Sequence, residues 1–165
     1  MELLDIDGSK TMAPRKLEKN RLLLVDDDPS VRESLENVLI GEGYDVVPAG
    51  DGVEAIELAG KVPLDLVLLD LNLPKKNGWD TFEILIRQNP RMPVVIITAR
   101  SNQLFPALAS GVGALMEKPL DLPKLLQTIR NLLDEPVEAR LARLAGKPTE
   151  FHYLPAHSTG ERPKP

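Results

Sequence analysis

Short apolar runs alternate with amphipathic segments between residues 21 and 135 of this chain. Most of these runs are three or four residues long and rich in Leu, Val and Ile, which is typical of strands buried on both faces of a sheet. On this basis five segments are predicted as strands: 22–25, 44–47, 66–69, 94–97 and 114–116.

Helix-start signals follow the first two predicted strands. Ser30 and Glu33 have the spacing of a capping box, which predicts a first helix beginning near Ser30. Asp51 and Glu54 have the same kind of spacing and predict the start of a second helix. Both signals stand where a strand gives way to a helical pattern, so the first part of the chain reads as strand, helix, strand, helix.

Three further helices are predicted in the second half of the chain. One extends from about residue 79 to 88 and is closed by a proline. The next contains Pro106, which fits only the first turn of a helix, so this helix is predicted to begin near Phe105 and to be short. The last, residues 122–133, has a regular apolar stripe with a 3.6-residue period.

Five alternations of strand and helix predict an α/β fold. The expected architecture is a doubly wound, five-stranded parallel sheet with helices on both faces, because right-handed crossovers return each strand to the same sheet. Residues 21–135 would form this domain, and residues 1–20, which are polar and unpatterned, are predicted to be a flexible leader. Residues 136–165 are predicted to form a short helix and a Pro-rich tail, which is too short for a separate output domain. In that tail Phe151–Leu154 is an aromatic patch that either packs against the domain or contacts a partner, and the sequence leaves both open.

Polar residues of complementary chemistry stand at or just after the ends of four predicted strands: Asp26, Asp27, Asp70, Thr98 and Lys118. The carboxyl ends of parallel strands meet at one edge of the sheet, where ligands bind. Clustered carboxylates repel one another unless a positive charge lies between them, and a hard cation such as Mg²⁺ prefers such oxygen ligands. A hydroxyl and an ammonium suit the oxygens of a phosphoryl group. Each residue alone has a simpler role as a cap, a strand former or a surface charge, so the prediction of a joint cation and phosphoryl site depends on their spacing.

Composition narrows the remaining function classes. The net charge is −5 without a basic block, which argues against direct nucleic-acid binding. The sequence shows neither a membrane-length apolar run nor a signal peptide, so we expect a cytoplasmic protein without membrane contact. Cysteine is absent, which removes disulfides, thiolate nucleophiles and zinc–thiolate sites.

These landmarks occur in an order that resembles the receiver domain (CheY-like) of bacterial two-component response regulators. The matching motifs are Val25-Asp26-Asp27, Leu69-Asp70-Leu71-Asn72-Leu73-Pro74 with Gly78, Thr98-Ala99, and Lys118-Pro119. The resemblance covers about residues 20–135 and implies a flavodoxin-like arrangement of the sheet.

The resemblance also implies a role for each residue of the site. Asp70 would accept a phosphoryl group. Mg²⁺ or Mn²⁺ would be held by Asp26, Asp27, Asp70 and the backbone carbonyl of Asn72. Thr98 and Lys118 would bind the phosphoryl oxygens, and the Lys118–Pro119 peptide bond would be cis.

The implied function is that of a phosphoprotein in a two-component system or phosphorelay. The donor would be a histidine kinase or a histidine phosphotransfer protein, and an unidentified downstream protein would receive the signal through direct contact. The domain would not be an enzyme beyond its own aspartyl phosphorylation and dephosphorylation. Homodimerisation is left open. One position departs from the family, since Leu115 stands where a Tyr or Phe usually takes part in the readout, so an altered route of signal output is expected.

The same residues allow two alternative functions. A haloacid-dehalogenase-like phosphohydrolase would use Asp26 as nucleophile and Asp28 as acid/base, but it leaves Asp70 unexplained. A pseudo-receiver scaffold that takes no phosphate is favoured by Leu115, whereas the complete acidic set argues against it.

Overall fold

The computed structural model describes residues 19–147 and 150–156. Most of the predicted leader (residues 1–18) and the end of the predicted tail (residues 157–165) therefore lie outside the described residues. Six strands and six helices alternate over most of the described chain. The strands are β1 (Arg21–Val25), β2 (Asp45–Ala49), β3 (Leu66–Asp70), β4 (Val94–Thr98), β5 (Ala114–Glu117) and β6 (His152–Leu154). The helices are α1 (Pro29–Gly41), α2 (Gly52–Lys61), α3 (Gly78–Gln88), α4 (Leu104–Ser110), α5 (Leu122–Asp134) and α6 (Val137–Leu144).

All six strands form one parallel sheet in the order β2-β1-β3-β4-β5-β6. The doubly wound parallel sheet predicted from the sequence is confirmed for its first five strands. The sixth strand was not predicted. It comes from the C-terminal aromatic patch, which therefore packs against the domain, one of the two options that the sequence left open.

Alternate residues of the central strands enter two separate cores. Leu23 and Val25 contribute to one face of the sheet, which α2, α3 and α4 cover. Leu22 and Leu24 contribute to the other face, which α1 and α5 cover. Strands β1, β3 and β4 are buried almost throughout, which explains why their sequences are apolar without alternation.

The start of α1 corrects one prediction from the sequence. The cap is Asp28 and not Ser30: the Asp28 side chain accepts hydrogen bonds from the backbone N–H groups of Ser30 and Val31, and Pro29 takes the first helical position. Proline fits there because its missing N–H would have no partner in the first turn. The caps of α2 and α5 are Asp51 and Asp121. Helix α4 is short and contains Pro106 in its first turn, as predicted.

No helix in the described ranges combines the length and the apolar character needed to cross a membrane.

Candidate functional site

The carboxyl ends of β1 and β3 place two acidic side chains next to each other. These two strands pair directly. Strand β1 lies between β2 and β3, so the order of strands along the chain reverses direction at this point of the sheet. Such a reversal of strand order opens a crevice at the sheet edge. Asp70 is the last residue of β3, and Asp26 directly follows β1. Both are almost completely buried, with exposed fractions of 3% and 2%.

Three carboxylates converge in this crevice. Asp26, Asp27 and Asp70 each offer an oxygen atom, and these oxygens lie within 4.8 Å of one another. Asp27 is exposed, so the cluster opens to solvent on one side. A divalent cation with a preference for oxygen ligands fits this donor set, because close carboxylates need a positive charge between them.

Lys118 follows β5 and extends across the sheet edge to the same carboxylates. Its Nζ donates hydrogen bonds to Asp70 Oδ2 at 2.8 Å and to Asp26 Oδ2 at 3.2 Å. The Lys118–Pro119 bond is cis, as the resemblance implied. The side chain joins residues 92 and 48 positions away in sequence, so its contact with the acids depends entirely on the parallel sheet.

Burial and pairing oppose each other at this contact. Burial raises the pKa of Asp70, and the hydrogen bonds from Lys118 and the Asn72 amide only partly offset it. Burial lowers the pKa of Lys118, but the hydrogen bonds and charges of Asp70 and Asp26 outweigh it, and the pKa stays above its ordinary value. Lys118 therefore stays positively charged beside Asp70, whose ionised form is disfavoured by burial.

Backbone donors fix the orientation of both buried carboxylates. Asp70 Oδ1 accepts from the Asn72 amide at 2.8 Å, and Asp26 Oδ1 accepts from the Asp28 amide at 2.9 Å. Arg32 on α1 donates from Nη1 to the carbonyl oxygen of Asp26 at 2.6 Å. Arg32 could not be predicted as part of the site, because its only signal in the sequence is a basic residue one turn into a helix.

Thr98 completes the set of strand-end residues. It is fully buried at the end of β4, the strand that pairs with β3. Its Oγ1 accepts a hydrogen bond from the Arg100 amide at 2.9 Å. The structure thus brings Asp26, Asp27, Asp70 and Lys118 into one cluster and places Thr98 at the end of the adjoining strand.

The loop after β3 is held against the acidic cluster by a glycine. A Cβ atom on Gly78 would lie 2.3 Å from Leu71 Cα and 2.9 Å from the carbonyl oxygen of Asp70. Trp79, the next residue, donates from its indole nitrogen to Gln103 Oε1 at 2.9 Å and so connects α3 with the residue before α4. Neither contact could be read from the sequence, since both depend on how the loop folds back.

The chain matches the model of the response regulator receiver domain over residues 22–130. Among known proteins it is 40% identical over 126 residues to the DNA-binding response regulator MtrA of Mycolicibacterium smegmatis, a match that covers 73% of this chain and 55% of MtrA. It is also 40% identical to the transcriptional regulatory protein CpxR of Escherichia coli K12, with 69% of this chain and 49% of CpxR covered. The chain thus spans about half the length of these relatives.

Solved receiver structures have the same fold. A CheY-like receiver domain protein of Methanospirillum hungatei superposes with a TM-score of 0.68 at 29% identity, covering 70% of this chain and 94% of that protein. The response regulator TrrA of Thermotoga maritima, solved with Mg²⁺ and BeF, superposes with a TM-score of 0.65 at 26% identity, covering 68% and 98%. These matches support a signalling role and do not favour the phosphohydrolase alternative. With the strand-end acids, the lysine and the parallel sheet in place, this chain belongs to the receiver domain family of response regulators.

Proposed function

We propose that Asp70 accepts a phosphoryl group from a phosphohistidine donor and that the resulting aspartyl phosphate is the signalling state. The observation that carries the proposal is the position of Asp70 within one crevice with Asp26, Asp27 and the Lys118 ammonium. A carboxylate at this place has an oxygen available as nucleophile and charged groups around it that can bind an incoming phosphoryl group.

The transfer needs little covalent chemistry from the protein. A carboxylate oxygen of Asp70 forms a bond to phosphorus while the bond from phosphorus to the donor's imidazole nitrogen breaks and its electron pair returns to the imidazole. Lys118 already donates to Asp70 and lies where it can bind a phosphoryl oxygen. Thr98 supplies a buried hydroxyl at the end of the adjoining strand, and we assign it to a second phosphoryl oxygen.

Asp26, Asp27 and Asp70, with the backbone carbonyl of Asn72, are the residues that would hold Mg²⁺ or Mn²⁺. The bound cation would neutralise charge on the phosphoryl oxygens and thereby lower the barrier to transfer. Asp26 and Asp70 are held in orientation by backbone amides before any ligand arrives, so the carboxylates are preorganised for this purpose.

An apolar groove next to Lys118 gives the donor protein a surface to contact. Its cavity volume is about 430 Å³, and its lining residues come from α1 and the segment after β5: Ser30, Val31, Ser34, Leu35, Val38, Lys118, Pro119, Leu120 and Leu122. A histidine kinase or histidine phosphotransfer protein that packs here brings its histidine to the rim of the acidic crevice.

The signal passes to a downstream protein by direct contact, in the cytoplasm, and the only reactions catalysed are aspartyl phosphorylation and its reversal. MtrA is named as a DNA-binding regulator, but this chain spans about half of its length. The absence of nucleic-acid binding therefore stays a prediction, as does the domain boundary at residue 135, and homodimerisation stays open.

Mass spectrometry after reaction with acetyl phosphate and Mg²⁺ tests the proposal. We expect the full chain to gain one phosphoryl group on Asp70, and Asp70→Asn to gain none. Asp65→Asn is the matched control, since Asp65 precedes the same strand at its opposite end. Label on Asp26 would support a phosphohydrolase instead. No label, together with no calorimetric signal for Mg²⁺, would support a scaffold without phosphorylation.

A further inference from the structure

The C-terminal segment, defined as residues 137–147 and 150–156, is built into the receiver fold. Helix α6 packs on the turn before β5 so closely that a Cβ on Gly111 would lie 2.9 Å from Leu144 Cα. Strand β6 then pairs with β5 in parallel, with Tyr153 opposite Leu115. Leu154 packs into the core that α1 and α5 cover. The segment thus follows β5 along its length.

The two ends of this segment are held by contacts of different strength. At the start, the almost fully buried Arg143 binds the Glu135 carboxylate and donates from Nη1 to the Glu150 carbonyl at 2.9 Å. At the far end, the only side-chain hydrogen bond found in the described residues of β6 runs from Tyr153 Oη to Glu117 Oε1, at 2.6 Å and open to solvent. This hydrogen bond raises the pKa of Tyr153, because the Glu117 carboxylate accepts the phenol proton. Because exposed hydrogen bonds exchange readily with water, the far end is the part that can be released.

Glu117 lies between the phosphorylation crevice and this releasable end. It is paired in register with Thr98 and directly precedes Lys118, whose amide donates to the Thr98 carbonyl at 2.8 Å. By the alternation of strand residues, Thr98, Glu117 and Tyr153 lie on the same face of the sheet. A row of three side chains therefore leads from the crevice to β6.

We propose that phosphorylation of Asp70 releases the far end of the C-terminal segment through Glu117. The inference rests on the proposed function, in which Lys118 and Thr98 turn to the phosphoryl oxygens. Both flank Glu117, so their movement displaces its carboxylate. The Tyr153 hydrogen bond is already short, and hydrogen bonds weaken steeply when their geometry is disturbed. Release of β6 turns β5 into an open sheet edge, which is the kind of surface that pairs with an extended strand of another protein.

Hydrogen exchange measured by mass spectrometry on the full chain tests this inference. We compare Mg²⁺ alone with Mg²⁺ plus beryllofluoride, and expect amide exchange at residues 152–154 to become at least about twofold faster with beryllofluoride, the scale of one hydrogen bond. Coupling between two sites is reciprocal, so Tyr153→Phe should bind beryllofluoride more tightly by a similar factor in calorimetry. Tyr44→Phe is the matched control, because Tyr44 precedes β2 on the opposite side of the sheet.

The outcomes separate this inference from the proposed function. If beryllofluoride does not bind to the wild-type chain, the proposed function itself is overturned. If it binds while exchange at residues 152–154 is unchanged or slower, only the release of the segment is overturned. An affinity of Tyr153→Phe equal to or below that of Tyr44→Phe also overturns it.

Discussion

Asp70 is the residue at which burial and charge oppose each other most directly. Its carboxylate is 3% exposed and its pKa is raised, although Lys118 and the Asn72 amide both donate hydrogen bonds to it. In the folded chain the Asp70 carboxylate, the proposed nucleophile, is thus buried where its ionised form is disfavoured. Functional sites commonly retain such groups at the expense of stability.

Replacing Asp70 with Asn should therefore stabilise the metal-free protein at neutral pH. A raised pKa in the folded state means that the folded chain binds the proton more tightly, so the ionised carboxylate lowers stability above that pKa. Below the ordinary value of 3.8 the carboxyl is protonated in both states and the difference disappears. Urea unfolding at pH 7.5 and at pH 3.5 would measure this, with Glu57→Gln on exposed surface as control. Equal stabilities of Asp70→Asn and wild type at pH 7.5 would contradict it.

Replacing Lys118 with Gln should have the opposite effect on stability. The change leaves Asp26 and Asp70 facing each other without the ammonium that bonds to both. We expect the free energy of unfolding to fall by about 1.5–3 kcal/mol without metal, the range for hydrogen bonds to charged groups. Added Mg²⁺ should restore part of this loss, since it replaces the missing positive charge.

Thermal unfolding with and without Mg²⁺ would measure the effect of Lys118→Gln. Lys124→Gln is the control, because Lys124 is largely exposed and its nearest carboxylate oxygen, on Asp121, lies 3.9 Å away. Exposed pairs of this kind contribute about 0–1 kcal/mol. A loss as small in Lys118→Gln as in the control would show that the buried pair does not stabilise the fold.

The loop between β3 and α3 shapes the acidic crevice. Gly78 begins α3 and lies against the backbone of Leu71 and Asp70. Its amide donates to the Leu71 carbonyl at 3.0 Å, which closes the loop. Asn77 caps α3, because its Oδ1 accepts a hydrogen bond from the Asp80 amide. The cap and the close approach together hold the loop over the end of β3.

Gly78→Ala should shift this loop and weaken the site. The new Cβ would meet backbone atoms, which cannot move aside as a flexible side chain could. We expect a loss of stability of about 1–3 kcal/mol, as for overpacking in cores, and a lower affinity for Mg²⁺. Gly60→Ala in α2 is the matched control: its Cβ would have no neighbour within 4 Å. That change should stabilise by about 0.5–1 kcal/mol through helix propensity. Calorimetry of Mg²⁺ binding and urea unfolding would measure both, and a neutral Gly78→Ala would contradict the expectation.

At the scale of the whole molecule, the C-terminal segment is anchored by two arginines that share one carboxylate. Arg140 and Arg143 on α6 both contact Glu135, which follows α5. Arg140 also donates to the Leu132 carbonyl at 2.7 Å. Glu135 is therefore the carboxylate that balances the charge of both arginines.

Glu135→Gln should therefore destabilise the chain and loosen its C-terminal segment. Two largely buried guanidinium groups would remain without a counter-charge, and breaking a buried pair on one side typically removes about 3–5 kcal/mol. We expect faster proteolytic cleavage within residues 137–156 than in Glu138→Gln, a change on the exposed face of α6. Equal cleavage rates for the two variants would show that this cluster does not anchor the segment.

The parallel sheet and the order of its strand-end residues follow from the hydrophobic pattern of the chain alone. Continuous apolar runs specify strands buried on both faces. The acids, the threonine and the lysine that end four of these runs then have only one edge of the sheet to occupy. The helix cap was harder to predict, because two neighbouring residues can both cap α1. Asp28 is the cap in place of Ser30, since Pro29 takes the first helical position.

Contacts between residues far apart in sequence could not be predicted from local pattern. The pairing of Lys118 with Asp26 spans 92 positions, and the sixth strand forms because β5 offers an open edge to Phe151–Leu154. With three residues, β6 is too short for its sequence pattern to predict which strand it pairs with. Tyr153 therefore reaches Glu117, beside the phosphorylation crevice, through a register that no local propensity encodes.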